Sequence, residues 1–169
     1  MKRLLAAVML VGVAVLVGVL TASGSSNSAV RSAAPAAKKS VTFHVVEKSV
    51  GFNFIDNPPR QGRNSPPLIG DQFAFTSNLL TKGGAHAGTL EATCTVTRGG
   101  DHTRGPCYGV FALKGGQIAG IANLSPGNVT HVAVVGGTGV YEGVSGSVTS
   151  VSRGENSLYT DDTVHLIWP

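Results

Sequence analysis

From Val41 onward the sequence is a succession of short runs rich in Val, Thr, Phe and Ile, broken at close intervals by glycine-bearing turns. No feature constrains the chain more. Short β-branched and aromatic runs bounded by turn residues read as strands, and no stretch carries a convincing 3.6-residue period. Eight runs can be marked: 41–50, 71–81, 87–98, 106–114, 117–124, 129–135, 144–153 and 158–168. Most are joined by tight turns, as at Lys82-Gly83-Gly84, Gly115-Gly116 and Ser125-Pro126-Gly127. Eight antiparallel strands with short connections can close into an up-and-down barrel, which removes exposed edges. The expected fold class is therefore all-β, an eight-stranded antiparallel barrel, with an open β-sandwich as the alternative. A barrel of this size is filled by its own side chains or holds one small ligand.

Composition agrees. Charged residues make up 13% of the chain, about half the usual share, and 42% are hydrophobic, which excludes disorder. The 23 glycines follow no triplet period, so collagen is excluded.

Lys2 and Arg3 precede an unbroken apolar stretch from Leu4 to Leu20 and then small polar residues. That is the order of a secretory signal. We expect a signal peptide over 1–29, a flexible linker over 30–40 and the barrel over 41–169, in a secreted protein. An uncleaved anchor is the alternative, with membrane association only through residues 4–20.

The net charge of +4 falls to +2 without Lys2 and Arg3. Residues 31–63 carry six bases against two acids, whereas 70–169 carry five against seven. The basic balance thus belongs to a tether and a loop, and no nucleic-acid partner is expected.

Cys94 and Cys107 suit a disulfide in an exported chain, with two free thiols as the alternative. Pairing them across a hairpin also pairs Arg98 with Thr103 and leaves Gly99 to His102 as the loop. Alternation puts both cysteines on one face, as a cross-strand bridge requires.

Several motifs invite chemistry. Gly136-Gly137-Thr138-Gly139-Val140-Tyr141-Glu142-Gly143 superficially matches a dinucleotide loop, but Glu142 takes the last glycine's place and no crossover helix follows. A structural turn is the better reading. Ser145 misses the nucleophile-elbow pattern by its final residue. His44, His86, His102, His131 and His165 are scattered without ligand-like spacing, so no metal site is expected. Asp161-Asp162 reads as a solvated strand segment. Asn123 and Asn128 begin glycosylation sequons.

Gly70-Asp71-Gln72-Phe73-Ala74-Phe75-Thr76-Ser77-Asn78-Leu79 resembles the opening strand motif of allene oxide cyclases. Gly136 to Gly146 resembles the glycine turn, with Gly136, Gly137, Gly139 and Gly143, that allene oxide cyclases share with plant dirigent proteins. Over roughly 41–169 the chain resembles the bacterial exported branch of this barrel superfamily. The resemblance implies an apolar central cavity for a small apolar molecule, no cofactor, and homo-oligomers, trimers among plant members. The cyclase acid falls on His44 or Val45 here, the cavity Asn on Ser77 and the cavity Tyr near Asn123-Leu124. The dirigent Asp and Arg fall on Val140 and Ser145. Neither set is intact.

By alternation Glu47 shares the inward face with Phe43 and Val45 and is the candidate catalytic carboxylate; an exposed charge beside Lys48 is the plainer reading. Phe43, Val45, Phe73, Phe75 and Ser77 are the candidate ligand-binding wall. Residues 51–69 read as a long proline-rich loop whose Phe52, Phe54 and Ile55 cover one mouth. Three roles follow: a non-catalytic carrier or dirigent-like protein, an isomerase or cyclase acting on a hydrophobic polyene or epoxide, and a structural domain with a filled barrel.

Overall fold

The computed structural model describes residues 38–59, 65–124, 127–154 and 157–169. The signal segment and most of the linker expected from the sequence lie outside them. The described chain forms eight strands: β1 (Ser40–Ile55), β2 (Gln72–Leu80), β3 (His86–Thr95), β4 (Gly105–Leu113), β5 (Gly116–Leu124), β6 (Val129–Gly137), β7 (Ser145–Ser152) and β8 (Tyr159–Ile167). Each strand pairs antiparallel with the next and β8 pairs with β1, closing the barrel. Closure leaves no sandwich.

Two expectations need correcting. The first strand does not end at Val50: β1 runs on to Ile55, with Phe52 opposite Phe75 and Phe54 opposite Phe73. A bulge between Ser49 and Gly51 supplies the extra residue, and it resets the alternation so that Phe52 and Phe54 join the face of the β2 phenylalanines. The glycine that suggested a loop is part of this bulge. The second correction is the β3–β4 hairpin. Cys94 pairs with Cys107 as expected, but Arg98 bridges Arg104 rather than Thr103. The amides of Thr97 and Arg98 both donate to the Arg104 carbonyl, at 2.8 and 3.0 Å, which bulges the strand and lengthens the loop by one residue.

The end of the barrel where β2 meets β3, β4 meets β5 and β6 meets β7 is packed shut. Leu79, Ile118, Val144, Val164 and Leu166 are each no more than 3% exposed there, with Tyr141 and Trp168 packed against them. The Trp168 amide donates to the Lys39 carbonyl, 2.8 Å away, fastening the C-terminus beside the start of β1. The glycine turn holds a single 3-10 turn over Gly139–Tyr141. Gly139 has φ +62°, and a Cβ there would lie 2.2 Å from the Gly115 carbonyl oxygen. Only glycine meets both demands.

At the opposite end, Asp71 is 2% exposed and organises the β1–β2 connection. Its carboxylate accepts the Asn57 amide at 3.0 Å and the Leu68 amide at 2.7 Å. Phe52 and Phe54, 66% and 37% exposed, form part of the rim with Phe73. Their ring centroids lie 5.9 and 5.2 Å from that of Phe73.

Candidate functional site

Alternation fixes which side chains enter the barrel. On β1 these are Phe43, Val45 and Glu47; on β2 they are Phe73, Phe75 and Ser77. Val45 and Ser77 are buried, and Phe43 and Phe75 pack against the apolar core. Glu47 turns inward, and its carboxylate Oε1 accepts a 2.6 Å hydrogen bond from the Ser77 hydroxyl. Burial raises its pKa, and the Ser77 hydrogen bond draws it partly back. The reading of Glu47 as a solvated charge beside Lys48 does not hold.

Asp162 was expected in solvent and is instead 1% exposed. It sits on the inward face of β8 between Val45 of β1 and Ser150 of β7, its cross-strand partners. Neither carboxyl oxygen has a hydrogen-bond partner. Desolvation pushes its pKa up to about 7; the Ser150 hydroxyl is the main opposing influence, and the nearby Glu47 and Asp161 charges push it up further. The sequence cue for Asp162 was available. In Asp161-Asp162-Thr163-Val164, an inward Val164 requires an inward Asp162.

Ser77, Glu47, Asp162 and Ser150 therefore form a polar band with one side chain from each of β2, β1, β8 and β7. Burying an acid such as Asp162 without a cation is costly. The one ion pair among the described residues joins Arg153 to Asp161 on the outside, at 2.7 Å. Beside the band, small side chains leave room. Ala92, Cys107, Gly109, Gly120, Ala122 and Ser150 border a cavity of about 60 Å³, enough for a few waters or the head of a larger molecule. Cys94 and Cys107 form the expected disulfide on this wall.

Ala92, Gly109 and Gly120 are shared with a feature on the outer surface. They form part of the floor of a trench of about 750 Å³ crossing β1 to β6. Its walls include outward Tyr108, Val110, Ile121 and Val135, from 37% to 60% exposed, together with Glu91. With glycine at both paired positions 109 and 120, only backbone separates cavity from trench there.

The histidines are less scattered than their spacing suggests. His44, His131 and His165 lie on the outer face of β1, β6 and β8, each with Nδ1 within hydrogen-bond distance of a threonine hydroxyl. No metal-binding group of three or more acids, histidines or cysteines occurs among the described residues. Val140, at the dirigent Asp position, is 63% exposed; Ser145 is exposed and donates to the Ile167 carbonyl at 3.4 Å. Neither position reaches the interior.

No protein-family profile matches the chain, and no curated protein matches it in sequence. Solved structures do. A pyocyanin demethylase superposes with TM-score 0.63 at 22% identity, over 75% of this chain and 99% of that one. A pterocarpan synthase dirigent protein gives TM-score 0.63 at 14% identity, over 78% and 86%. An exo-specific intermolecular Diels–Alderase gives 0.59 at 12% identity, over 78% and 98%. What the chain shares with these structures is the closed eight-stranded barrel. At these identities what is shared is the fold.

Proposed function

We propose that the protein is an exported barrel that binds a small apolar molecule inside the barrel by its one polar group, in a carrier or dirigent-like role. The observation that supports this most is the Ser77–Glu47–Asp162–Ser150 band set into an otherwise apolar interior. Pockets that select small molecules are mostly apolar with a few convergent polar groups, and perturbed carboxyls mark them. The candidate wall of Phe43, Val45, Phe73, Phe75 and Ser77 belongs to this reading, with Ala92, Ala122 and Ser150 added. The disulfide and the leader sequence support secretion.

An isomerase or cyclase acting on a hydrophobic polyene or epoxide is favoured by one further observation. A carboxyl that keeps its proton to about pH 7 can donate to an epoxide or carbonyl oxygen, while Glu47 accepts a proton elsewhere. The barrel's share would be to fold the substrate into a reactive conformer. The buried acids and the cavity beside them weigh against a purely structural, filled barrel. The outer trench is the candidate face for the homo-oligomer that the resemblance implies.

The full chain incubated with a lipid extract and examined by native mass spectrometry tests the interior site. Wild type should retain an apolar compound, and Ala122→Phe, which fills the cavity, should lose it while still folding. Equal retention by both proteins would move the site off the interior.

A further inference from the structure

The barrel buries the Asp162 carboxyl and half-buries that of Glu47, and among the described residues no cation is paired with either. Asp162 has no hydrogen bond to either oxygen, and Glu47 has only the Ser77 hydroxyl. Among the described residues the nearby bases are Lys48, over the Tyr159 ring, Arg153, paired with Asp161, and Lys82, which with His44, Asp161 and Asp162 borders a pocket of about 210 Å³. A buried anion pair is satisfied by protons or by a ligand that brings positive charge and donors. The geometry points to a cationic nitrogen as the polar group of the ligand: a protonated amine held between Glu47 and Asp162, its apolar body running towards Phe52, Phe54 and Phe73. This deepens, and rests on, the reading of the interior as the binding site.

Three features support that class. The bare Asp162 oxygens are acceptors, and an ammonium group is all donor. The cavity of about 60 Å³ that Ser150 borders leaves room next to the polar band, though neither acid lines it. The rim is aromatic, and the faces of phenylalanine rings attract cations. A metal ion fits less well, since no third acidic, histidine or cysteine ligand joins the pair among the described residues.

The charged groups around Asp162 are few. β1 brings Glu47 inside the barrel and His44 outside it, β8 brings Asp161 outside and already paired with Arg153, β7 brings the neutral Ser150, and Lys82, just past β2, borders a pocket with Asp161 and Asp162. Protons and the ligand cation therefore compete for the same pair. With the Asp162 pKa near 7, that competition falls in an accessible range.

The test is calorimetry on the full chain with three probes of one shape: 1-naphthylmethylamine, 1-naphthylmethanol and 1-naphthoate. At mildly alkaline pH the amine should bind about tenfold or more tightly than the alcohol, as a charge pair inside a low-dielectric site requires. The carboxylate should bind least. Amine affinity should fall as pH drops through the Asp162 titration, and heats in two buffers should show protons released on binding. Asp162→Asn should erase the amine's advantage over the alcohol. Alcohol binding as tightly as amine in wild type would overturn the cation preference while leaving the interior site standing. Binding of none of the three would overturn both, and neither result depends on a variant folding.

Discussion

A carboxyl with no hydrogen bond to either oxygen, and a second carboxyl diagonal to it on the adjacent strand, holds its proton to unusually high pH. For Asp162 the direction of the stability effect follows. In the unfolded chain it titrates near the ordinary carboxylate value of about 4, and in the barrel at about 7. The neutral form is the one the fold tolerates, so its stability is fully present in acid and is lost as pH rises through about 7, by at most about 4 kcal/mol. Urea denaturation at mildly acidic and mildly alkaline pH should show this fall, and Asp162→Asn should flatten it. Parallel profiles for the two proteins would mean that Asp162 is already ionised in the fold. Asp71 shows the opposite economy, because its buried carboxylate is matched by two backbone amides. Asp71→Ala should destabilise by about 2 kcal/mol or more and loosen the β1–β2 connection, seen as faster hydrogen exchange at Asn57 and Leu68. Sequence marked Glu47 by alternation with Phe43 and Val45. It left Asp162 as one of two adjacent acids read as solvated, although alternation with Val164 would have turned it inward.

Among the elements, the β3–β4 hairpin ties sequence to stability most directly. Cys94 and Cys107 lie opposite each other with Cα atoms 4.0 Å apart, and closing so short a loop stabilises the fold by about 3 kcal/mol. The double variant Cys94→Ser/Cys107→Ser should lose about that much in urea denaturation. A loss well under 1 kcal/mol would mean the hairpin is held by its ladder and bulge alone. The cysteine pairing was legible because alternation and an even count agree. The end of β1 was not. Gly51 and the prolines beyond it look like a loop opening, and only the ladder to β2 reveals a bulged strand that carries Phe52 and Phe54 to the rim. The bulge at Thr97–Arg98 was hidden for the same reason, since one carbonyl accepting two amides leaves no mark on composition. The glycine turn was legible as a turn, yet the reason for Gly139 is a backbone approach from Gly115, distant in sequence.

For the whole molecule, the polar His/Thr face of β1, β6 and β8 contrasts with the apolar trench over β3 to β6. A contiguous exposed apolar surface on a closed barrel marks an interaction face. If the trench joins copies of the chain, sedimentation should give a species larger than the monomer, and Tyr108→Lys with Ile121→Lys should return it to the monomer with its fold intact. A wild-type monomer at high concentration would remove the assembly reading. By itself the sequence determined the barrel: period-two alternation and tight glycine turns leave few ways to bury eight strands, and closure is the one that leaves no edge. It pointed to the disulfide, and alternation offered an inward Glu47 beside the plainer reading of an exposed charge. The tertiary structure decided what alternation cannot express. Strand order brings Ser77, Glu47, Asp162 and Ser150 side by side from β2, β1, β8 and β7, although Glu47 and Asp162 stand 115 residues apart in the chain. An acid pair of one buried and one half-buried carboxyl comes into being only when the last strand closes on the first.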